Sequence, residues 1–493
     1  MNQKTAIIIG AGIGGISTAI LLSKAGYQVD VFEKNSYPGG RCGQIIRDGH
    51  RFDIGATILM MPSIYRNVFE SLGLNFDECF ELKPLNTVYK VYFKNGENLA
   101  FSTDNELMKT QLEAIEPGSY NSFRKYISSG YEFFRLAMRD LLGRNFYHFF
   151  QFINFKNVGF LFKLKAYLKH RTYIRRFFRS ERLKQAFTFQ NIYVGQSPLE
   201  APALFAMLPA AELTEGALFP IGGMYSITEK LISTAKEAGV NFHFGKAVTQ
   251  IITSSRKADG ILFSDGSTAQ SDIIIANADL PYVYRDLLPD KKASHRIDRK
   301  KFASSALVFH WGLSKVYPQL GHHSVFLSED FKGSLDIIFK EFSLSEKPSF
   351  YVHSPVRTDS SAAPAGGDSL SVIVPMGHLN SAKPQNWNQL IKTTRDAVIS
   401  RLKEIGMEDV EENMKFEICY PPSTWESIFN VSRGSVFGSL KHSIMQMGYF
   451  RPHNRHGKYR NLYFVGGSTH PGNGVPLVLL SAKLTSERIL KGL

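Results

Sequence analysis

A chain of 493 residues with 43% hydrophobic and 21% charged side chains is too apolar for disorder and too long for one simple core. Its formal charge of +14 and pI near 9.4 point to a polyanionic partner, either nucleic acid or the phosphate surface of a membrane. Cys42, Cys79 and Cys419 have no spacing suited to a disulfide framework or a zinc centre, so no metal is expected and a reducing cytosol fits.

Residues 5 to 9, Thr-Ala-Ile-Ile-Ile, have the β-branched apolar character of a buried parallel strand. Gly10, Gly12 and Gly15 follow as G-x-G-x-x-G, with Gly14 inside the motif. An apolar face from Ile16 to Ala25 then predicts a helix closed by Gly26, and Gln28 to Phe32 a second strand. In such a unit Gly10 permits the tight turn, Gly12 lets the backbone approach a pyrophosphate, and Gly15 lets helix pack on strand. Glu33, 18 residues after Gly15, ends the second strand, where a carboxylate accepts both ribose hydroxyls and repels a 2′-phosphate. Lys34 stands beside it. No room remains before the first strand for a cleavable signal peptide.

Pro38, Gly39, Gly40 and Arg41 come next, followed by Phe52, Asp53, Ile54, Gly55, Ala56 and Thr57. These two stretches resemble the flavin motifs of the amine oxidase and phytoene desaturase superfamily. The resemblance implies FAD as the cofactor, with Gly40, Arg41, Gly55, Ala56 and Thr57 against it.

From about 60 to 200 the pattern turns helical, with Pro62 opening a helix over Ser63 to Leu72 and a short strand pair near Val88 to Phe101. Between Arg144 and Lys184 eleven Lys and Arg face a single acid, Glu181, interleaved with aromatics such as Phe149, Phe150 and Tyr167. Cations for anionic headgroups plus interfacial aromatics describe a surface-lying membrane anchor. A solvated helix face and nucleic-acid binding are the rival readings, and the anchor is favoured over both. No apolar run reaches the ~18 residues of a spanning helix, so any membrane contact is peripheral and the protein is expected in the cytoplasm at the membrane surface.

Strands return at Val240 to Phe244, Val248 to Ile252, Gly260 to Phe263 and Ile273 to Ile275, then at 303 to 315 and 368 to 375, with Pro384 to Gly406 reading as helix. The chain closes on an apolar strand, Leu462 to Val465, and a glycine turn, Gly466-Gly467-Ser468-Thr469-His470-Pro471-Gly472-Asn473-Gly474. A helix then starts near Pro476, and its N-terminus would stabilise negative charge on a reduced flavin ring.

This ending, with Arg451 to Asn454, Phe219 to Met224 and Asn277 to Asp279, resembles carotenoid desaturases of the bacterial phytoene desaturase and dehydrosqualene desaturase type over essentially the whole chain. The resemblance implies an α/β fold in which a Rossmann-like FAD-binding domain (1–80, 216–290 and 436–493) interleaves with an α+β substrate domain (291–435). A helical, membrane-associating region (81–215) completes it. It places Val248 at the adenine and Gly467, Val475, Pro476 and Val478 at the flavin. The implied reaction introduces double bonds into a C30 or C40 polyisoprenoid by hydride transfer. His470 is the candidate acid or base, with fixing of the glycine turn an equal alternative. Some relatives carry an Arg-Asp pair where Lys156 and Asn157 stand, so an acid is missing there. Oxygenation, isomerisation or saturation of a polyene, amine oxidation, and non-catalytic lipid carriage are the competing functions.

Overall fold

The computed structural model describes residues 3–152, 159, 163–165 and 167–492; Lys156, Asn157 and part of the basic segment lie outside them. Its first layer is a five-stranded parallel sheet in the order Asn241–His243, Gln28–Phe32, Thr5–Ile9, Ile273–Ala276, Leu462–Phe464. Ile8 pairs with Val31 on one side and Ile275 on the other. Parallel strands covered on both faces need apolar side chains throughout, which the isoleucine run supplies.

Helix Ile13–Lys24 packs on this sheet and against helix Val475–Leu490. It is buried nearly all round, as Ile13 to Ile20 are without exception, and a helix so enclosed has no need of a polar stripe. The first and last elements of the chain therefore meet, and whatever the opening glycine turn holds lies close to the closing one. A separate antiparallel meander, Val248–Ser254, Lys257–Phe263 and Thr268–Gln270, flanks the sheet.

The second layer is a seven-stranded sheet ordered Met414–Tyr420, Ser305–Leu313, Asp368–Met376, Phe350–His353, His323–Phe326, Thr87–Tyr92, Asn98–Ser102. Its pairings are antiparallel except that of His323–Phe326 with Thr87–Tyr92. Helix Trp387–Lys403, capped by the Asn386 side chain accepting from Gln389 N–H, covers one face through Val398, Ile399 and Leu402. The sequence places the hairpin near Val88 inside a helical insertion; the structure joins it to the edge of this sheet, since an isolated hairpin cannot bury its apolar side alone.

A helical layer, Ser119–Ala137 with a following turn Met138–Leu142 and helix Met207–Glu215, closes the remaining side. Among the described residues no helix is long and apolar enough to cross a membrane. The helical segment divides by exposure: Tyr173, Ile174, Phe178 and Leu183 are buried, while Lys163, Lys169, Arg175, Arg176, Arg179 and Arg182 are exposed.

Candidate functional site

One cavity of about 550 Å³ runs between these layers, and its two ends differ in chemistry. At the first end lie Gly10, Gly12, Gly14, Glu33, Lys34, Gly40 and Arg41, joined by Gly55, Ala56, Thr57 and Val248. The closing turn contributes Gly467, Val475, Pro476 and Val478 to the same wall. The residues singled out in the sequence for the cofactor are thus brought together from segments far apart in the chain. Gly15 is the exception among them. It sits in the first turn of the helix, where an added Cβ would fall 2.4 Å from Gly10 O, so it serves the close packing of helix on strand.

The opening turn is held by side chains as well as by glycine. Gly10 has φ +99, and its carbonyl and that of Gly12 accept from Asn277 Nδ2 at 3.0 and 3.3 Å. The buried Glu33 carboxylate accepts from Ala11 N–H at 2.8 Å and Asn35 N–H at 2.9 Å, fixing it at the strand end. Lys34 Nζ donates to Ser427 O and Asn430 Oδ1, both at 2.8 Å, and burial lowers its pKa. Arg41 donates to Val436 O at 2.6 Å; burial lowers its pKa, opposed by the charge of Asp279.

The sequence motifs around positions 53 and 223 explain each other. Asp53 accepts from Met224 N–H at 2.9 Å and Tyr225 N–H at 3.1 Å, at the start of helix Tyr225–Glu237. Burial still raises its pKa to about 7. Arg451 acts similarly on the closing turn. Fully buried, it donates to Thr469 O at 2.9 Å and Gly467 O at 2.5 Å, and burial lowers its pKa to about 9.

His470 stands behind that turn and does not line the cavity. Its Nε2 donates to Arg144 O at 2.9 Å, its ring faces Phe146, and burial lowers its pKa to about 3. This geometry matches the turn-fixing alternative and leaves the imidazole no reach into the cavity. The imidazole on the cavity wall is His442, buried, with neither ring nitrogen partnered and a pKa held well below the ordinary value by burial. No motif pointed to it; only the fold carries it there.

The second end of the cavity is apolar, walled by Phe134, Met138, Leu141, Leu142, Phe189, Ile192, Leu204, Phe205, Met207 and Leu208, with Val325 and Ile373 from the seven-stranded sheet. Among the polar side chains on this wall, Tyr89 and Tyr193 both donate their hydroxyls to the buried Glu212. Burial raises the Glu212 carboxyl to about 8, against the Tyr89 hydrogen bond.

Two helices open onto this space without a side-chain cap: Ile13–Lys24 behind Gly12 and Val475–Leu490 behind Gly474. Uncapped N–H groups at a helix start are a ready site for anionic groups, and an added Cβ at Gly40 would meet nothing nearer than Gly12 Cα at 3.8 Å. A parallel sheet with a glycine turn, an acid on its second strand, a second uncapped helix and an apolar chamber define a dinucleotide-dependent oxidoreductase fold, and FAD suits both helix starts.

The comparisons make the class specific. The chain belongs to the flavin containing amine oxidoreductase family, whose model matches residues 13–490, and within it to the carotenoid desaturases; it is an FAD-dependent oxidoreductase. It is 37% identical to the phytoene desaturase of Fusarium fujikuroi, with 99% of this chain and 90% of that protein covered. It is 34% identical to the 4,4'-diapophytoene desaturase (4,4'-diaponeurosporene-forming) of Staphylococcus aureus strain Newman, with 98% of each covered. Among solved structures an oxidoreductase from Methanosarcina mazei shares the fold, at TM-score 0.63 and 17% identity over 98% of this chain and 100% of that one.

Proposed function

We propose that the chain desaturates a C30 or C40 polyisoprenoid such as phytoene or dehydrosqualene. The observation that carries this reading is the continuity of the cavity, from the uncapped helix starts to a chamber walled by Phe, Met and Leu. The names of its relatives support the same substrate class. The flavin of a bound FAD would supply the acceptor for the hydride lost from one carbon of the chain. The residues of the protein do the rest. Apolar walls strip water from an unfunctionalised substrate and hold one C–C bond in place, since positioning is most of what a protein offers a hydrocarbon. For the proton leaving the neighbouring carbon the described cavity wall offers the His442 imidazole, whose protonated form burial and the Arg451 charge disfavour, so it passes the proton on rather than holding it.

The five strands of the parallel sheet support assigning 1–80, 216–290 and 436–493 to the cofactor unit, and the seven-stranded sheet supports 291–435 as the substrate unit. The edge hairpin of that sheet comes from within 81–215. A hydrocarbon dissolved in lipid also calls for docking at a membrane surface. Phe150 is 80% exposed and Met445 65% exposed. Phe149 stacks edge-on against Tyr449, so residues 149–150 and 445–450 adjoin, and Met447 of the latter lines the cavity. These exposed apolar side chains and the exposed Arg175, Arg176 and Arg179 suit an anionic bilayer.

Expression in cells that accumulate phytoene or dehydrosqualene tests the activity: extracted pigment with new conjugated double bonds is expected, and unchanged precursor in both hosts refutes the reading. Flotation with anionic liposomes tests the anchor, and neutralising Arg175, Arg176 and Arg179 together should abolish it. Unchanged flotation rejects that segment as the anchor.

A further inference from the structure

Beside Tyr351 of the cavity wall the seven-stranded sheet brings three histidines together. His323 and His353 are direct cross-strand partners, so their side chains share one face, and His322 reaches in from the residue before the strand. All three are buried, and one ring nitrogen of each lies within 4.8 Å of the other two. His322 Nε2 and His353 Nε2 are 3.2 Å apart.

We propose that His322, His323 and His353 hold a divalent transition-metal ion, zinc in the first instance. The surroundings favour ligation over a purely hydrogen-bonded trio. His322 Nδ1 faces Thr358 Oγ1 at 2.7 Å and His323 Nδ1 faces the Tyr351 hydroxyl at 2.7 Å. With Nδ1–H donated outward, each ring keeps its Nε2 lone pair for the centre, the outer hydrogen bonding that metal-bound imidazoles characteristically make. Without an ion, His323 Nε2 is buried with no partner, an arrangement proteins avoid.

The donor set selects the ion. Three imidazoles without a carboxylate or thiolate suit zinc, copper or nickel and not calcium or magnesium. Zinc–nitrogen bonds of about 2.0–2.1 Å put tetrahedral ligands about 3.4 Å apart, close to the spacing of His322 and His353. The nearest charges oppose each other: Arg357 disfavours and Asp359 favours positive charge at His322. The trio does not line the cavity, but Tyr351 does, and its hydroxyl lies 2.9 Å from Thr57 Oγ1. An ion here would tie the residue before one strand to its neighbour and steady Tyr351 at the cofactor end. The spacing of these residues, two adjacent and one 30 positions on, has no sequence signature.

Untagged full-length protein, freed of loose metal by gel filtration, is to be assayed by elemental mass spectrometry and, after chelator treatment, titrated with Zn²⁺ while its melting temperature is followed. About one zinc per chain and a melting temperature that rises with Zn²⁺ are expected. His323→Asn and His353→Asn should lose both while keeping bound flavin, and His243→Asn, on the exposed His243–Asp30 pair, should lose neither. Less than a tenth of an equivalent in the wild type with no thermal shift by Zn²⁺, Cu²⁺ or Ni²⁺ overturns the proposal. So does undiminished uptake by the two variants; should they fail to fold, the wild-type titration alone decides.

Discussion

The two ends of the cavity are built on opposite principles. At the cofactor end the wall is backbone, shaped by glycines and fixed by single polar side chains: Asn277 on Gly10 and Gly12, Glu33 on Ala11 and Asn35, Arg451 on Gly467 and Thr469. At the substrate end it is side chains, many and interchangeable, supplied by helices and one sheet face. Where geometry rests on one residue its loss is severe; where it rests on summed apolar volume, single changes adjust the fit.

Gly15→Val should give the largest effect. The new side chain collides with Gly10 O, and purified protein should carry less than about a tenth of the wild-type flavin, read from its visible absorbance. Retention of full flavin would mean that the turn is not the cofactor cradle. Glu33→Ala comes next. Hydrogen bonds to a charged group contribute about 1.5–3 kcal/mol each, so losing the pair to Ala11 and Asn35 should weaken flavin retention about tenfold or more.

The histidines sharpen the contrast between wall and scaffold. His442→Ala should lower turnover several-fold with flavin content unchanged. His470→Ala, which removes the hydrogen bond to Arg144 O, should cost melting temperature and spare turnover. The reverse pattern would move the proton acceptor behind the closing turn. At the substrate end Leu208→Trp narrows the chamber: flavin content should stay constant while turnover of the hydrocarbon falls.

A further effect concerns pH. Glu212, raised to about 8 by burial, stabilises the fold fully only below its unfolded pKa of about 4.3, and that contribution is lost as pH rises through its folded value. Glu212→Gln removes the titration. Its melting temperature should therefore fall less than the wild type's between about pH 5 and about pH 8.

The same division governs what could be read from the sequence. The isoleucine strand, the glycine turn, Glu33 and the closing turn each demand particular residues at fixed spacing, and Gly10, Gly12, Gly14, Glu33, Gly466, Gly467 and Gly474 from them line the cavity together. Helix Trp387–Lys403 and strands Ser305–Leu313 and Asp368–Met376 match their expected bounds to within three residues at each end. His442, Tyr351 and the Glu212 cluster left no local trace, because their placement depends on sheet order and helix packing between segments far apart. His470 shows the converse hazard. Its motif marks the turn faithfully, yet the side chain within it points to Arg144 O. The hairpin Thr87–Tyr92 and Asn98–Ser102 was legible as strands but not its parallel partner His323–Phe326, which lies more than 200 residues away.

The central claim is that a single chamber joins cofactor and hydrocarbon. Mixing the purified yellow protein anaerobically with phytoene or dehydrosqualene in liposomes tests it directly. The account predicts that the visible flavin band bleaches as a conjugated polyene band grows in step with it; a band that persists with both hydrocarbons, in protein fully loaded with FAD, would contradict it.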